Sequence, residues 1–292
     1  MVPGPDALFD PVRERLGHGL RQMLAGTSER SDFELDPDAP RFSGPGSATW
    51  AVHSDVSMLV GGVRALLFQA LHPLAMAGVA DHSTYRTDPL GRLQRTGSFI
   101  ATTTFGTLSE AEQAIKIVRR VHDGVTGFAP DGRPYTANDP NLLMWVHCTE
   151  VDSFLAARVR YGESPLSPGE VDTYVAEMAI IAEKLGVIDP PRSRRELRDQ
   201  LVAFRPELEV GGQARSTVRF LMMPPLPVAA RPAYGIIVAA AISLLPRHAR
   251  RKLWLPVVPL AEPAAIRPAA ALLLRTLRWA LGPHPTRSVA SG

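Results

Sequence analysis

The fold class is decided most clearly at residues 109–127, which read SEAEQAIKIVRRVHDGVTG. Ser109 is followed three residues later by Glu112, which is the pattern of a helix capping box. Apolar residues then recur at helical spacing, at Ile115, Val118, Val121 and Val125. Gly127 is expected to end the helix. The stretch therefore predicts an amphipathic helix that carries His122 on its apolar face.

The segments on either side have the same helical character. We predict further helices at 11–24, 54–71, 74–80, 93–105, 141–161, 167–185 and 193–207, and short apolar helices after them that end near Trp279. Ser54 or Asp55 is the expected N-cap of the second of these, and Ser167 opens the sixth with another capping box. Almost no segment alternates with the two-residue period of a strand. The predicted class is all-α, a single and mostly helical domain.

The expected organisation is one domain over residues 1–292, with three regions. Residues 1–47 form an N-terminal helix and a turn-rich arm, residues 48–190 form the core that holds the candidate site, and residues 191–292 form a Pro-rich helical region. Within the core, the pair Gly61–Gly62 would let a neighbouring helix or a flat ligand approach closely.

Composition narrows the class of protein. Apolar residues make up 45% and charged residues 21%, which is typical of a globular chain. The net charge is only +3, and no basic stripe is interleaved with aromatic residues, so we expect no nucleic-acid partner. The single cysteine, Cys148, excludes an intrachain disulfide. The first residues lack the pattern of a signal peptide, which predicts a cytoplasmic location.

Residues 233–245, AYGIIVAAAISLL, raise the question of a membrane. A helix of this length spans only ~20 Å, whereas a bilayer core needs about 20 residues. A buried core helix is the preferred interpretation. Peripheral contact with a membrane stays open, because Pro224, Pro225, Pro227 and nearby arginines could form an amphipathic surface.

A polar cluster at Arg92, Arg95 and Thr96 precedes the helix of residues 109–127. Spacings of three and four place the three residues on one helical surface. The arginines could anchor a loop by pairing with Asp81 or Asp88. Alternatively, their guanidinium groups could bind the propionate carboxylates of a haem in a bidentate manner. Both interpretations stay open.

His122 also has two interpretations. A lone histidine on an apolar helical face is commonly a buried core residue. Alternatively, a neutral imidazole held rigidly by the helix could bind haem iron, with its other nitrogen hydrogen-bonded to Asp123 or Asp139. His147 lies on the inner face of the helix at 141–161, and it is either a buried polar residue or lines a pocket opposite the iron ligand.

Other histidines and other chemistries have less support. His72 and His82 flank loops and could line a pocket, whereas His53 has no supporting context. His147 and Glu150 are a weak metal pair, and the chain lacks the Glu-x-x-His repeats of ferritin-like di-iron sites. Motifs for covalent haem attachment, nucleotide-binding loops and hydrolase elbows are absent from the sequence.

Several ordered pieces of the sequence together resemble the catalytic domain shared by MpaB-type oxygenases and latex-clearing rubber oxygenases. They are Leu71-His72-Pro73, Asp81 to Tyr85, Asp88 to Arg92, Arg95-Thr96, Phe105-Gly106, Val121-His122, Val125 to Gly127 and Trp145-Val146-His147. The resemblance covers roughly residues 50–190. It implies a mostly helical protein with a haem b held by one axial histidine. Some members of the family cleave carbon–carbon double bonds of isoprenoid chains with dioxygen.

By position, the resemblance implies that His122 is the axial ligand and that Arg92, Arg95 and Thr96 form the distal cluster. Rubber oxygenases carry lysine in place of Arg95, and arginine stays charged and cannot cap the iron as a neutral lysine can. The carboxylate that these enzymes place upstream has no clean match, and Asp81 is the nearest residue. Cleavage of rubber itself is therefore not expected.

The sequence predicts a haem b-dependent oxygenase that acts on a hydrophobic small molecule with dioxygen or peroxide. The predicted catalytic residues are Arg92, Arg95 and Thr96, and the predicted cofactor-binding residues are His122, Arg92, Arg95 and His147, with His122 on the metal. Thr96 would donate a hydrogen bond to dioxygen, and Phe99 and Met144 would shape the substrate pocket. The alternatives are a non-catalytic haem-binding or haem-sensing protein, whose basic C-terminal third binds a partner or a membrane, and a haem-free helical protein.

Overall fold

The computed structural model describes residues 39–84, 87–256 and 260–282. These residues form twelve α-helices and one small sheet, so the all-α prediction is confirmed. The helices are α1 (Ala48–His53), α2 (Met58–Gln69), α3 (Pro73–His82), α4 (Pro89–Phe105), α5 (Leu108–Asp123), α6 (Pro140–Tyr161), α7 (Pro168–Leu185), α8 (Arg194–Ala203), α9 (Gly212–Met222), α10 (Arg231–Leu244), α11 (Arg247–Lys252) and α12 (Arg267–Leu281). The sheet pairs β1 (Thr126–Phe128) with β2 (Pro134–Thr136) in antiparallel register. The helix predicted at 11–24 lies outside the described residues.

Helix α6 is the centre of the fold. It is the longest helix, at 22 residues, and Trp145, Cys148 and Val151 are fully buried along it. The Trp145 ring packs edge-on against Phe68 of α2 and Phe204 after α8, with ring centroids 5.4 and 5.2 Å apart. A helix this apolar on several sides can be covered only by other helices, and α2, α7 and α8 pack against it.

Helix α2 crosses α6 at very short range. A Cβ atom on Gly61 would lie 2.8 Å from Cδ1 of Phe154 and 3.2 Å from the Ser153 carbonyl oxygen. Only a glycine allows this approach, as the sequence predicted. Gly62, by contrast, has no atom within 4 Å of such a Cβ and lines the cavity described below.

The starts of α6 and α7 agree with the residues at the helix ends, whereas the start and the end predicted for α5 were wrong. Asp139 caps α6, and the Ser167–Glu170 capping box opens α7. The capping box predicted at Ser109 was wrong, because Thr107 and Glu110 form it two residues earlier. The sequence contains both patterns in tandem, and only the first can cap the single helix. The end predicted at Gly127 was also wrong, since α5 ends at Asp123.

The helix predicted at 54–71 begins later than expected, because residues 54–57 form a break between α1, which ends at His53, and α2, which begins at Met58. Ser54 is the C-cap of α1 rather than an N-cap, and α2 begins after Ser57. Asp55 caps neither helix: its carboxylate accepts a hydrogen bond from the Ser57 amide at 2.8 Å and pairs with Arg278 of α12. Pro73 both follows α2 and begins α3.

The C-terminal third is built from short helices. The segment predicted as a helix at 193–207 is α8 followed by a 3₁₀ turn, Arg205–Glu207. Helix α10 covers most of residues 233–245, and α12 runs past Trp279. Among the described helices, none alone has the length and hydropathy to cross a membrane. Helices α2 and α3 together have the length and composition of a membrane-spanning segment, but the chain bends by 107° at the break between them.

Candidate functional site

A cavity of about 3390 Å³ lies between the helices and is lined mainly by apolar side chains. It is several times larger than the roughly 300–1,000 Å³ of pockets that hold drug-sized ligands. Five residues proposed from the sequence line it together, namely Arg92, Arg95, Thr96, His122 and His147. The structure therefore brings residues from α4, α5 and α6 around one space.

His122 is half-buried near the end of α5, and Val118, Val121 and Val125 line the cavity beside it. Its Nδ1 atom is buried and has no hydrogen-bond partner among the residues that the structure describes. Burial lowers the pKa of His122 below its usual value, so the imidazole is neutral at neutral pH. A neutral imidazole with an unpartnered nitrogen is able to bind a metal.

The acceptors suggested for His122 are used elsewhere. Asp123 accepts a hydrogen bond from Asn138 Nδ2 at 2.6 Å, and Asp139 accepts one from the Asn141 amide at 2.8 Å as the cap of α6. The predicted hydrogen bond from His122 to either carboxylate is therefore not formed. Both aspartates satisfy backbone and side-chain donors at the ends of helices.

His147 reaches the cavity from α6. Its Nε2 atom is buried without a hydrogen-bond partner in the described part of the chain, and burial lowers the pKa of the imidazole to about 4. The same cavity thus has two neutral imidazoles, each with an unpartnered nitrogen, on different helices. By geometry alone, either His122 or His147 could hold a cofactor metal.

The polar cluster on α4 is engaged in local hydrogen bonds. Arg95 is 63% exposed, and it donates to Asp88 Oδ2 at 3.2 Å and to Thr84 Oγ1 at 3.0 Å. Thr96 Oγ1 donates to the Arg92 carbonyl at 3.1 Å. Arg95 therefore pairs with Asp88, as the interpretation of the arginines as loop anchors predicts. Because the pair is exposed, it exchanges readily with another anion.

The other predicted pairing partner, Asp81, binds elsewhere. Its carboxylate accepts a hydrogen bond from the Tyr135 hydroxyl at 2.6 Å. Asp81 itself is absent from the cavity wall, whereas Tyr135 and His82 line it. Asp81 was the residue nearest to the upstream carboxylate of the rubber oxygenases, and it does not supply a carboxylate to the cavity wall.

Of the residues expected at the pocket, Phe99 lines the cavity, whereas Met144 and His72 do not. Met144 is buried in the main core, with its sulfur 3.7 Å from Cys148 Sγ. Met144 follows Leu143, which does line the cavity, and so it points to the other side of α6. His72 is also buried away from the cavity, 3.3 Å from Glu207 Oε2.

Sequence reasoning missed two polar residues of the cavity wall. His53 lines the cavity, with Nδ1 2.8 Å from Thr104 Oγ1 and Nε2 3.1 Å from the Tyr174 hydroxyl. No local pattern could have shown this, because its partners are distant in the chain. Glu150 also lines the cavity, and its spacing of three from His147 was the available signal.

Protein side chains alone do not form a metal centre in the part of the chain that the structure describes, since no group of three or more His, Cys, Asp or Glu residues comes together there. A porphyrin needs far fewer protein ligands, because one axial histidine is enough. The arrangement of single histidines around an apolar cavity is compatible with such a cofactor.

Comparison with curated proteins and with solved structures gives no significant match. A family model does match, described as "ER-bound oxygenase mpaB/B'/Rubber oxygenase, catalytic domain", over residues 50–279. The match extends well beyond the residues that carry the sequence resemblance, to α12 at the C-terminal side of the cavity. It covers most of the chain, which therefore belongs to this family of oxygenase catalytic domains.

Proposed function

We propose that this protein is a haem b-dependent oxygenase that acts on a hydrophobic small molecule with dioxygen or peroxide. The observation that carries the proposal is the pair of unpartnered, neutral imidazoles, His122 and His147, on the wall of one large and mainly apolar cavity. Membership of an oxygenase family supplies the reaction class.

The residues present fit a haem. Its iron requires a neutral imidazole nitrogen, which burial provides at both histidines. We assign the axial position to His122, because the sequence resemblance places the ligand there. His147 would then line the cofactor site from α6.

The arginines suit the propionates of a haem. Guanidinium groups bind carboxylates in a bidentate manner, and Arg92 and Arg95 both line the cavity. Arg95 already holds the carboxylate of Asp88, so a propionate would replace one anion with another. Because Arg95 is exposed, its contact with a propionate would lie at the outer edge of the cavity, where a charged group stays hydrated.

Haem supplies the redox chemistry that activates dioxygen or peroxide. The protein side chains supply orientation and polarity. Thr96 is the hydroxyl donor next to the arginines, and rotation about its side chain would release it from the Arg92 carbonyl to donate into the cavity. Phe99 supplies apolar surface for the substrate on the same helix.

The test is haem retention by purified protein and by three histidine variants. We expect the wild type to give a Soret band after haem supply, and His122→Ala to lose it. His248→Ala is the matched control, because His248 Nε2 is also buried without a partner but lies away from the cavity wall. Full haem loading of His122→Ala together with loss in His147→Ala would move the ligand to His147, and loading in both would contradict the proposal.

Turnover separates an oxygenase from a haem-binding or haem-sensing protein. The loaded protein is given a panel of isoprenoids and lipids, and dioxygen uptake is measured with product formation. We expect uptake that depends on the added compound. Spectra that never change across the panel, with no uptake, would favour the non-catalytic alternative.

We also propose that the C-terminal third contacts an anionic membrane, from which an apolar substrate could enter. Residues 211–292 contain eleven arginine and lysine residues but only one acidic residue, Glu262. On α12, exposed Leu272, Arg275 and Trp279 form one helical stripe that also lines the cavity. A basic surface with exposed leucine and tryptophan is complementary to anionic lipid headgroups.

A further inference from the structure

Glu150 is an unusual residue for the wall of this cavity. It lies on α6 one turn after His147, between the apolar residues Val146 and Phe154, which line the same space. Burial raises the pKa of its carboxyl group to about 7, well above the usual value of a glutamate. The side chain therefore has a large desolvation cost where leucine would have none.

The described part of the protein offers Glu150 no compensating partner. Its carboxyl group forms no hydrogen bond and no ion pair with any residue in 39–84, 87–256 or 260–282. The hydrogen-bonded group of His53, Thr104 and Tyr174 does not include it, because both ring nitrogens of His53 are engaged by Thr104 and Tyr174. The pKa of the Tyr174 phenol is raised by burial first, and then by the charges of Glu150 and Glu177.

Glu177 is a second glutamate that acts on Tyr174, and unlike Glu150 it has a structural hydrogen bond. Glu177 on α7 accepts a hydrogen bond from the backbone amide of Thr49 at 2.7 Å, at the first turn of α1. It is absent from the cavity wall. Glu177 thus stabilises the fold, whereas Glu150 directs an unused acceptor towards the cavity.

We propose that Glu150 binds the polar end of the molecule that fills this cavity, and that this end is a hydrogen-bond donor, a hydroxyl or a protonated amine, on an otherwise apolar body. The inference rests on the proposed function in placing the substrate in the same cavity. A half-buried carboxyl on the cavity wall, without a hydrogen-bond partner among the described residues, accepts from such donors and repels carboxylates. Val146, Phe154 and the other apolar wall residues contact the rest of the ligand. Glu150 is thereby a specificity-determining residue.

The experiment compares eight-carbon probes that differ only at one end. Octylamine, 1-octanol and octanoate are titrated into haem-free protein by calorimetry at about pH 8, where a carboxyl with the raised pKa is mostly ionised. We expect octylamine to bind at least tenfold more tightly than octanoate. Glu150→Gln removes the charge, so the amine preference is lost while octanol binding is kept. Glu150→Leu loses both polar preferences.

Glu177→Gln is the matched control, since it changes a half-buried carboxylate outside the cavity and is expected to keep the wild-type ranking. Identical rankings in wild type and Glu150→Leu would overturn the inference. Because glutamine has the shape of glutamate and a smaller desolvation cost than an ionised carboxylate, we expect Glu150→Gln to fold, and thermal unfolding checks this.

A parallel titration of haem-loaded protein separates the two proposals. An amine that binds the iron directly shifts the Soret band and does so equally in Glu150→Gln. If haem never loads but the amine preference depends on Glu150, the ligand site stands and the haem assignment fails. If haem loads and the order of affinities for the three probes is the same in wild type and in the Glu150 variants, only the ligand inference fails.

Discussion

Three imidazoles on the cavity wall are kept uncharged by burial. Desolvation lowers the pKa of His53 to about 3 and that of His147 to about 4, and it also lowers the pKa of His122. Burial acts on Glu150 in the opposite sense, because it raises the pKa of a carboxyl group. The cavity wall therefore contains groups whose contributions to stability change with pH in opposite directions.

We predict that two variants change the pH dependence of unfolding with opposite sign. Between pH 6.5 and about 4, unfolded His147 binds a proton that the folded state does not, so it lowers stability as pH falls. Between about 7 and 4.5, folded Glu150 binds a proton that the unfolded state does not, so it raises stability as pH falls. Urea unfolding at a series of pH values measures both effects.

In His147→Gln, the loss of unfolding free energy on acidification should therefore be shallower than in wild type. In Glu150→Gln it should be steeper. Each difference is up to ~1.4 kcal/mol per pH unit, the value for one proton. Parallel curves for wild type and either variant would show that the side chain is hydrated in the folded state.

At the scale of elements, the contact between α2 and α6 fixes the distance between the two central helices. Gly61 meets Phe154 and the Ser153 carbonyl, and Arg64 of α2 donates to Ser153 Oγ at 2.6 Å and to Asp152 at 2.7 Å. The same arginine donates to the Leu244 carbonyl at the end of α10. One turn of α2 thus sets the position of two other helices.

We predict that Gly61→Ala destabilises the protein, whereas the neighbouring Gly62→Ala does not. The added methyl group at Gly61 would overlap Phe154 and the backbone of α6, which costs on the order of 1–3 kcal/mol in a packed core. The methyl group at Gly62 meets no atom within 4 Å, so the better helix propensity of alanine should be neutral or add up to ~1 kcal/mol. Chemical denaturation of the two variants gives the comparison, and equal stabilities would mean that α2 moves away from α6 easily.

Sequence signals were sufficient where the structure is determined locally. Asp139 and Ser167 cap their helices with their own neighbours, so both starts were predictable. The break after His53 was not, because Asp55 is held by Arg278, more than 200 residues away. The strand at Gly127 was missed because a three-residue strand is too short to show alternation, and it forms by pairing with Tyr135.

The site was predictable to the extent that its residues carry motifs. Arg92, Arg95, Thr96, His122 and His147 line one cavity, although their chemical roles stay predictions. His53 was given no role and Glu150 was considered only as a weak metal partner of His147, because their places on the cavity wall depend on which helices meet around it. Met144 was assigned to the wrong side of α6 because a helix this apolar gives no clear inner face.

At the scale of the whole molecule, charge is divided unevenly along the chain. The net charge is only +3, yet residues 211–292 alone carry eleven basic residues and one acidic residue. The N-terminal part must therefore be net acidic. Exposed apolar residues are present on both parts, and Leu272 and Trp279 of α12 are the large ones in the described part of 211–292 that also line the cavity. This asymmetry predicts a preferred orientation at a negatively charged surface.

We predict that the protein binds vesicles of phosphatidylcholine mixed with phosphatidylglycerol and binds vesicles of phosphatidylcholine alone much more weakly. Added salt should weaken the binding, because exposed charges are screened. Replacing Leu272 and Trp279 with serine removes the apolar stripe, whose side chains are 58% and 44% exposed, and should weaken binding about tenfold or more. Vesicle sedimentation measures each case.

Ile188→Ser is the control for this experiment, since Ile188 is 64% exposed but belongs to the acidic part of the chain. It should bind like wild type, because the nearby cations Lys184, Arg192 and Arg195 are each paired with an acidic residue and give little net attraction to the lipid. Equal losses in Ile188→Ser and in the Leu272/Trp279 variant would show that exposed apolar area alone drives the binding. Concentration-dependent self-association that the α12 changes abolish, with no binding to anionic vesicles, would assign the stripe to a second copy of the chain. The uneven charge would then have no part in docking, since two basic surfaces repel each other.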